Sequence, residues 1–194
     1  MSLANKLTFS RAALAAVFFI FYFLPFYFPG WFVRGSGWTA PVLILIFIVS
    51  QFTDLFDGMA ARKYNETSDF GKLFDPFADT IMQLTCFLCF VIDGILPAFL
   101  FLVVIYREFG ILFIRNLMLK KGITMGARYS GKVKTVSYIV AASTALLATS
   151  LQRLALFEFL IPFVRIGAAV IFFISVTISV ISFFDYLSAY KKAG

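Results

Sequence analysis

The chain has 194 residues, 61% of them hydrophobic, and a mean hydropathy of +0.94. That is far from the composition of a soluble domain and points to one polytopic membrane domain over residues 1–194. The net charge of +7 has no basic soluble region to carry nucleic acid, so it is read as cytoplasmic Lys and Arg facing anionic lipid headgroups.

A bilayer-spanning helix needs about 20 mostly apolar residues. Six segments meet this requirement, so an all-α, six-transmembrane-helix bundle is expected. The first runs from about Thr8 to Tyr27 and closes at Phe28-Pro29-Gly30. The others run from about Thr39 to Ala60, Asp75 to Ile92, Ile95 to Leu119, Val133 to Leu151 and Phe159 to Leu187. Lys6 and Arg11 before the apolar run suggest a signal peptide, but Ala12–Phe28 is long for one and no small-residue cleavage site follows. The run is therefore expected to stay as the first membrane helix. With the N-terminus inside, twelve of the 17 Lys and Arg fall on the cytoplasmic side; Arg34, Arg153 and Arg165 fall opposite. Both termini and the connection after the second span are thus expected in the cytoplasm.

Before the first span stands Asn5-Lys6-Leu7-Thr8, with Ser10 close behind. Thr8 or Ser10 suits a helix cap and equally a substrate contact. After the second span comes the richest stretch, Asp54 to Asp79. Asp54 and Asp57 stand three apart, and Asp75 and Asp79 stand four apart. Both spacings put two carboxylates on one helix face. Ionisable groups at membrane depth are expensive and point to function. Four carboxylates this close repel unless a cation sits among them, and oxygen-only ligands favour a hard ion such as Mg²⁺, Mn²⁺ or Ca²⁺. Histidine is absent, so base chemistry falls to carboxylates. Gly58, at the end of the second span, and Gly71, in the connection that follows, are places where phosphates or a base can approach closely. Arg62 is a phosphate partner, Ser68 a hydrogen-bond donor, and Pro76 a first-turn proline.

In the third span, Cys86 and Cys89 form a C-x-x-C inside an apolar helix and are read as small packing residues. The fourth span carries Tyr106-Arg107-Glu108 in its middle, with Arg115 two turns on. This is either an Arg–Glu pair facing the bundle interior or an anion site open to the cytoplasm. Cations outnumber anions, which favours the anion site. Gly126-x4-Gly131-Lys132 approaches a P-loop, but Val133 stands where Ser or Thr is required and no strand precedes it. Lys132 and Lys134, at a helix N-terminus, still form a phosphate cradle.

The stretch reads D-x2-D-G-x2-A-R-x8-G-x3-D-x3-D, carried by Asp54, Asp57, Gly58, Ala61, Arg62, Gly71, Asp75 and Asp79. It resembles the signature of the CDP-alcohol phosphatidyltransferases. The likeness continues through Tyr106-Arg107-Glu108-Phe109, Arg115 and Gly131-Lys132-Val133-Lys134-Thr135, a set similar to the bacterial branch that uses glycerol 3-phosphate. That branch usually has Ala where Tyr106 stands, a departure that bears on acceptor specificity. The resemblance implies a six-helix membrane bundle, usually a homodimer, with a polar cavity open to the cytoplasm. It implies transfer of a substituted phosphate from a CDP-linked donor to an alcohol, with release of CMP. On this likeness Asp54, Asp57, Asp75 and Asp79 hold one or two Mg²⁺ or Mn²⁺ ions, and Asp79 is the general base. Asp57, Gly58, Ala61, Arg62 and Gly71 bind the CDP donor. Asn5, Thr8 and Ser68 are candidates for the same site, relatives carrying a similar Asn-x-x-Thr there. Arg107, Arg115, Lys132 and Lys134 are expected to hold the acceptor's phosphate. The expected partners are CDP-diacylglycerol, glycerol 3-phosphate and membrane lipids. The expected location is a bacterial inner membrane with the site facing the cytoplasm. Transfer involving inositol phosphate, serine, choline or a cardiolipin-type acceptor is the first rival. A divalent-cation transporter is the second, disfavoured because the carboxylates cluster at one membrane face beside Arg62. A purely structural metal scaffold is the third, and leaves the basic cluster unexplained.

Overall fold

Long apolar runs broken by Gly, Pro and charge favour helices whose backbone groups are satisfied internally, the requirement a bilayer imposes. The computed structural model describes residues 3–28, 37–64, 69–120, 122 and 129–192; within these, the side chains at 3–8, 54–64, 69–73, 75 and 192 lie outside the description. Among the described residues there are six α-helices and no strand: α1 (Leu3–Tyr27), α2 (Thr39–Tyr64), α3 (Asp69–Ile92), α4 (Ala98–Lys120), α5 (Tyr129–Leu154) and α6 (Ile161–Lys192). A short 3₁₀ turn, Glu158–Leu160, precedes α6. This is the expected all-α membrane architecture. Phe9–Tyr27, Tyr129–Leu154 and Glu158–Lys191 are long and apolar enough to cross a membrane, with shorter apolar stretches at Thr39–Thr53 and Pro76–Ile92. In α4 the apolar run is interrupted by Arg107, Glu108 and Arg115.

Several boundaries differ from the sequence expectation, most of them by extending a helix; α4 and α6 instead start later, at Ala98 and Ile161. Helix α2 continues to Tyr64, and α3 starts at Asp69 rather than Asp75. Gly71 is therefore a helical residue, not a loop residue, and Gly58 is helical, as expected from a span reaching Ala60. Pro76 lies inside α3, not in its first turn. There it lacks the N–H that would continue the ladder, and Thr80 Oγ1 donates to the Pro76 carbonyl at 2.8 Å. Helix α1 begins at Leu3, so neither Thr8 nor Ser10 is its N-cap. The physical reason is common to the extended helices. Hydropathy marks where a helix enters hydrocarbon, whereas the backbone ladder continues into the polar zone until a breaker stops it.

The chain divides into two compact units: Met1–Phe90 with Thr149–Ile161, and Val91–Ala148 with Pro162–Gly194. In the first unit α1 packs on α2. The buried positions of α1 are Arg11, Ala15, Phe18 and Tyr22, a stripe spaced by four, three and four residues. Facing rows are buried on α2 (Ala40, Leu43, Phe47, Ser50) and α3 (Ala78, Met82, Cys86, Phe90). Phe90 meets Phe18 and Tyr22 edge-on, with centroids 6.4 Å and 5.9 Å away. Cys86 and Cys89 are buried among these packing residues, as expected. The other end of this unit is tied by Arg153. It donates to Thr39 Oγ1 at 2.7 Å and to the Tyr22 carbonyl at 2.8 Å, and its guanidinium lies 4.4 Å from the Tyr22 ring centroid.

In the second unit, α4 buries Leu100, Val104, Arg107, Glu108, Ile111, Ile114 and Met118. The long, mostly apolar helix α6 buries a row of serines, Ser175, Ser179 and Ser182. Small residues allow close helix approach in a membrane, and their hydroxyls bridge neighbours. Ser175 Oγ donates to the Ser137 carbonyl at 2.8 Å, and Tyr138 Oη donates to Ser179 Oγ at 2.6 Å. Gly110 lets α4 approach closely, since a Cβ there would stand 2.9 Å from the Phe183 ring.

Arg153→Ala is expected to lower the melting temperature of the detergent-solubilised protein, since it removes charge-assisted hydrogen bonds worth about 1.5–3 kcal/mol. Differential scanning fluorimetry against wild type measures it, and Arg153→Lys is expected to recover only part, because Lys has no planar fork to serve two acceptors.

Candidate active site

The acidic candidates belong to the first unit. Helix α2 places Asp54 and Asp57 one turn apart, and α3 does the same for Asp75 and Asp79. The continuous helices make the shared-face argument from spacing apply to both pairs. Gly58, Ala61 and Arg62 follow on α2, and Gly71 precedes Asp75 on α3. Asn5 and Thr8 lie on the first turns of α1. The side chains of Asn5, Thr8, Asp54, Asp57, Ala61, Arg62 and Asp75, and all of Ser68, lie outside the described residues.

Asp79 is the member of the quartet whose side chain is described. It is half-exposed and forms an ion pair with Arg11 of α1, whose own side chain is 3% exposed. Arg11 reaches Asp79 because it occupies the buried stripe of α1, one turn before Ala15. Charge counting along the sequence treats Arg11 only as a flanking cytoplasmic cation. Its register with Ala15, Phe18 and Tyr22 is the signal that it points inward. Phe9 on α1 and Phe74 on α3 stack 4.6 Å apart beside this pair in sequence, holding the same two helices together.

The basic candidates belong to the second unit. Glu108 Oε1 accepts from Arg107 Nη1 and from Lys134 Nζ, both at 2.9 Å. All three residues are less than a tenth exposed. Arg107 also donates through Nε to the Ser179 carbonyl and through Nη2 to Ser182 Oγ, each at 3.1 Å. Every nitrogen of its guanidinium is thereby engaged by protein. Lys134 Nζ lies 4.5 Å above the Tyr138 ring. Arg107 and Glu108 thus form an interior pair and not the cytoplasm-open anion site that the excess of cations favours for them, because buried Arg107 is held by Glu108, Ser179 and Ser182; Lys134 joins the pair as a second cation. Ser179, Ser182 and Tyr138 are partners that sequence reasoning misses; the Ser179/Ser182 spacing on α6 is the signal that could have found them.

Arg115 differs from Arg107. It is half-buried, donates to Tyr186 Oη at 3.3 Å, and its Nε is buried without a hydrogen-bond partner. Lys132 is exposed on the first turn of α5. Around Arg107, Arg115, Lys132 and Lys134 the one carboxylate described as bonding these cations is Glu108. The excess of positive charge suits an anionic ligand.

No cluster of three or more His, Cys, Asp or Glu side chains is found among the described residues, where Asp79 stands for the quartet. The donor chemistry nevertheless fits a hard divalent cation. The four candidate ligands are oxygen donors on two continuous helices, and the described one is an accessible carboxylate that already binds a cationic group.

Comparison with known proteins identifies the family. A family model described as CDP-alcohol phosphatidyltransferase matches residues 1–182. A Treponema pallidum (strain Nichols) protein named CDP-diacylglycerol--glycerol-3-phosphate 3-phosphatidyltransferase is 39% identical over 199 residues, covering 98% of this chain and 89% of its own. Proteins of the same name from Bacillus subtilis (strain 168) and Rickettsia felis (strain ATCC VR-1525 / URRWXCal2) are 31% and 28% identical. They cover 96% and 98% of this chain and 94% and 96% of their own length. The chain belongs to the CDP-alcohol phosphatidyltransferase family.

Removing Glu108 leaves two buried cations without their shared carboxylate, which in comparable sites costs about 3–5 kcal/mol. Glu108→Ala is therefore expected to reduce the yield of folded, monodisperse protein sharply, with Glu108→Gln less severe; size-exclusion chromatography and thermal unfolding check both.

Proposed function

We propose that this CDP-alcohol phosphatidyltransferase moves the phosphatidyl group of CDP-diacylglycerol to glycerol 3-phosphate, giving phosphatidylglycerophosphate and CMP. The observation that carries the reading is the likeness, along nearly the whole chain, to enzymes named for that donor and that acceptor. The excess of cations on α4 and α5 supports it: a doubly charged phosphate acceptor uses them, and a neutral alcohol does not.

In this reading the donor's acyl chains lie in lipid and its pyrophosphate lies at the Asp54–Asp79 stretch. Asp54, Asp57, Asp75 and Asp79 hold one or two divalent ions, Mg²⁺ or Mn²⁺. When bound, such an ion supplies charge neutralisation at the pyrophosphate and at the departing CMP. Asp57, Gly58, Ala61, Arg62 and Gly71 bind the cytidine diphosphate, with Asn5, Thr8 and Ser68 at its margin. Arg62 serves the phosphates through its planar fork. Asp79 takes the proton from the sn-1 hydroxyl of glycerol 3-phosphate. That oxygen bonds to the β-phosphorus as the bond from the β-phosphorus to the bridging oxygen breaks. The electron pair leaves with CMP, and no covalent enzyme intermediate is formed. Arg11 holds one oxygen of the Asp79 carboxylate, which fixes the orientation of the base. Arg115, Lys132 and Lys134 bind the acceptor's phosphate, and Arg107, fully engaged by protein, holds Glu108 and so keeps Lys134 in place.

The protein acts from the cytoplasmic face of a bacterial inner membrane, where CDP-activated lipid and glycerol 3-phosphate meet, and it works as a homodimer. The distribution of Lys and Arg supports the orientation.

CMP release from CDP-diacylglycerol by purified protein, with Mg²⁺ and one acceptor at a time, tests the reading. Release with glycerol 3-phosphate and not with inositol phosphate, serine, choline or phosphatidylglycerol is the expected result; release with a different alcohol overturns the acceptor assignment. Asp79→Asn is expected to abolish turnover while CDP-diacylglycerol still binds, and retained turnover removes Asp79 from the role of base. Adding EDTA is expected to stop CMP release, with Mg²⁺ or Mn²⁺ restoring it. Arg115→Ala with Lys134→Ala removes two charge-assisted hydrogen bonds to the acceptor. The pair is expected to raise the KM for glycerol 3-phosphate about a hundredfold or more and to leave the donor's KM nearly unchanged.

A further inference from the structure

The cytoplasmic end of α6, Phe184-Asp185-Tyr186, carries polar groups to which the sequence assigns no chemistry. Tyr186 is 2% exposed, among the largest fully buried side chains described. A phenol buried in an apolar bundle needs a polar partner, and Arg115 of α4 supplies it. Arg115 Nη2 donates to Tyr186 Oη at 3.3 Å, and the guanidinium carbon lies 5.6 Å from the centroid of the same ring. The hydroxyl and the π-face therefore act on one cation.

Helix α5 contributes the space. A Cβ on Gly131 would stand 3.0 Å from Tyr186 Oη. This glycine is helical, so what matters is the missing side chain, not any backbone freedom. One residue away on each helix, Ser130 Oγ donates to Asp185 at 2.6 Å. The two adjacent contacts set the register of α6 against the first turn of α5, the turn that also bears Lys132. Arg115 itself keeps a buried Nε with no hydrogen-bond partner. It is thus held by one edge while part of its donor capacity is unused by the protein.

We propose that Tyr186 is a positioning residue for the acceptor: its hydroxyl and ring hold Arg115 for the acceptor's phosphate, and Gly131 leaves the room this requires. The inference rests on the reading that Arg115 binds the phosphate of glycerol 3-phosphate. A long arginine loses rotamer freedom when it grips an anion, and a side chain that already orders it reduces that loss. Tyr186 acts through Arg115 and is assigned no contact with the reacting atoms.

The test is a double-mutant cycle on steady-state CMP release, with the KM of each substrate measured separately for wild type, Tyr186→Phe, Arg115→Ala and the double variant. Tyr186→Phe is expected to raise the KM for glycerol 3-phosphate about three- to tenfold, with kcat and the KM for CDP-diacylglycerol within about twofold of wild type. In the Arg115→Ala background the same substitution is expected to add nothing, because its route to the acceptor is already gone. Gly131→Ala is expected to act in the same direction as Tyr186→Phe, and it decides the matter if Tyr186→Phe does not fold. An unchanged acceptor KM, an equal rise in both KM values, or a full Tyr186 effect surviving in Arg115→Ala overturns the proposal. If wild type releases CMP only with another phosphorylated alcohol, the glycerol 3-phosphate reading fails, and the same cycle on that acceptor still decides the role of Tyr186. If wild type uses no phosphorylated acceptor, both fail.

Discussion

One carboxylate organises the second unit. Glu108 stands in the middle of α4 and accepts from Arg107 and Lys134 through a single oxygen. In an apolar bundle none of the three charges is tolerable alone. The desolvation of each is several kcal/mol, and only close pairing with further hydrogen bonds offsets it. The further bonds come from α6, through the Ser179 carbonyl and Ser182 hydroxyl. The registers of α4, α5 and α6 are thus tied to one electrostatic requirement. A slide of α6 by one residue would carry Ser179 and Ser182 away from Arg107. Apolar packing alone, on a helix as uniformly hydrophobic as α6, does not specify that register.

The first unit solves a similar problem differently. Its candidate carboxylates lie on α2 and α3, and its described buried charge is again paired. Arg11, buried on α1, pairs with Asp79, the carboxylate nearest the apolar part of α3. The ion pair crosses from α1 to α3 and lies in line with the Phe9–Phe74 stack and the Phe18, Tyr22 and Phe90 cluster. The opposite end is tied by Arg153 to Thr39 and Tyr22. Arginine serves at both ends because its planar fork satisfies two acceptors from one position.

The two chemistries demanded by phosphatidyl transfer are distributed accordingly. Carboxylates suit a divalent cation and a proton, and they sit on α2 and α3. Cations suit the acceptor's phosphate, and they sit on α4 and α5. Glu108 makes part of that cationic set structural. Arg107 is fully engaged by protein, whereas Arg115 keeps unused donor capacity. Residues of one charge type in one cluster therefore differ in how directly each is available to a ligand.

The amino-acid sequence by itself determined the helical class, the approximate positions of all six helices, and the family. These depend on quantities that are local: twenty-residue hydropathy, the three- and four-residue spacing of Asp54/Asp57 and Asp75/Asp79, and the fixed pattern through Arg62 and Gly71. It misplaced helix ends, as at Asp69 and Pro76, because hydropathy reports the hydrocarbon boundary and not the end of the hydrogen-bond ladder. It favoured an anion site at Arg107 and Glu108, where the structure has an interior pair, and it marked Arg11 as a flanking charge and α6 as a plain membrane span. Only the tertiary structure decided these points. Arg107 with Ser182, Arg11 with Asp79, and Arg115 with Tyr186 are separated by about seventy residues in the chain. Which partner a buried charge receives depends on helix register across that distance, and no local pattern in a uniformly apolar helix encodes it.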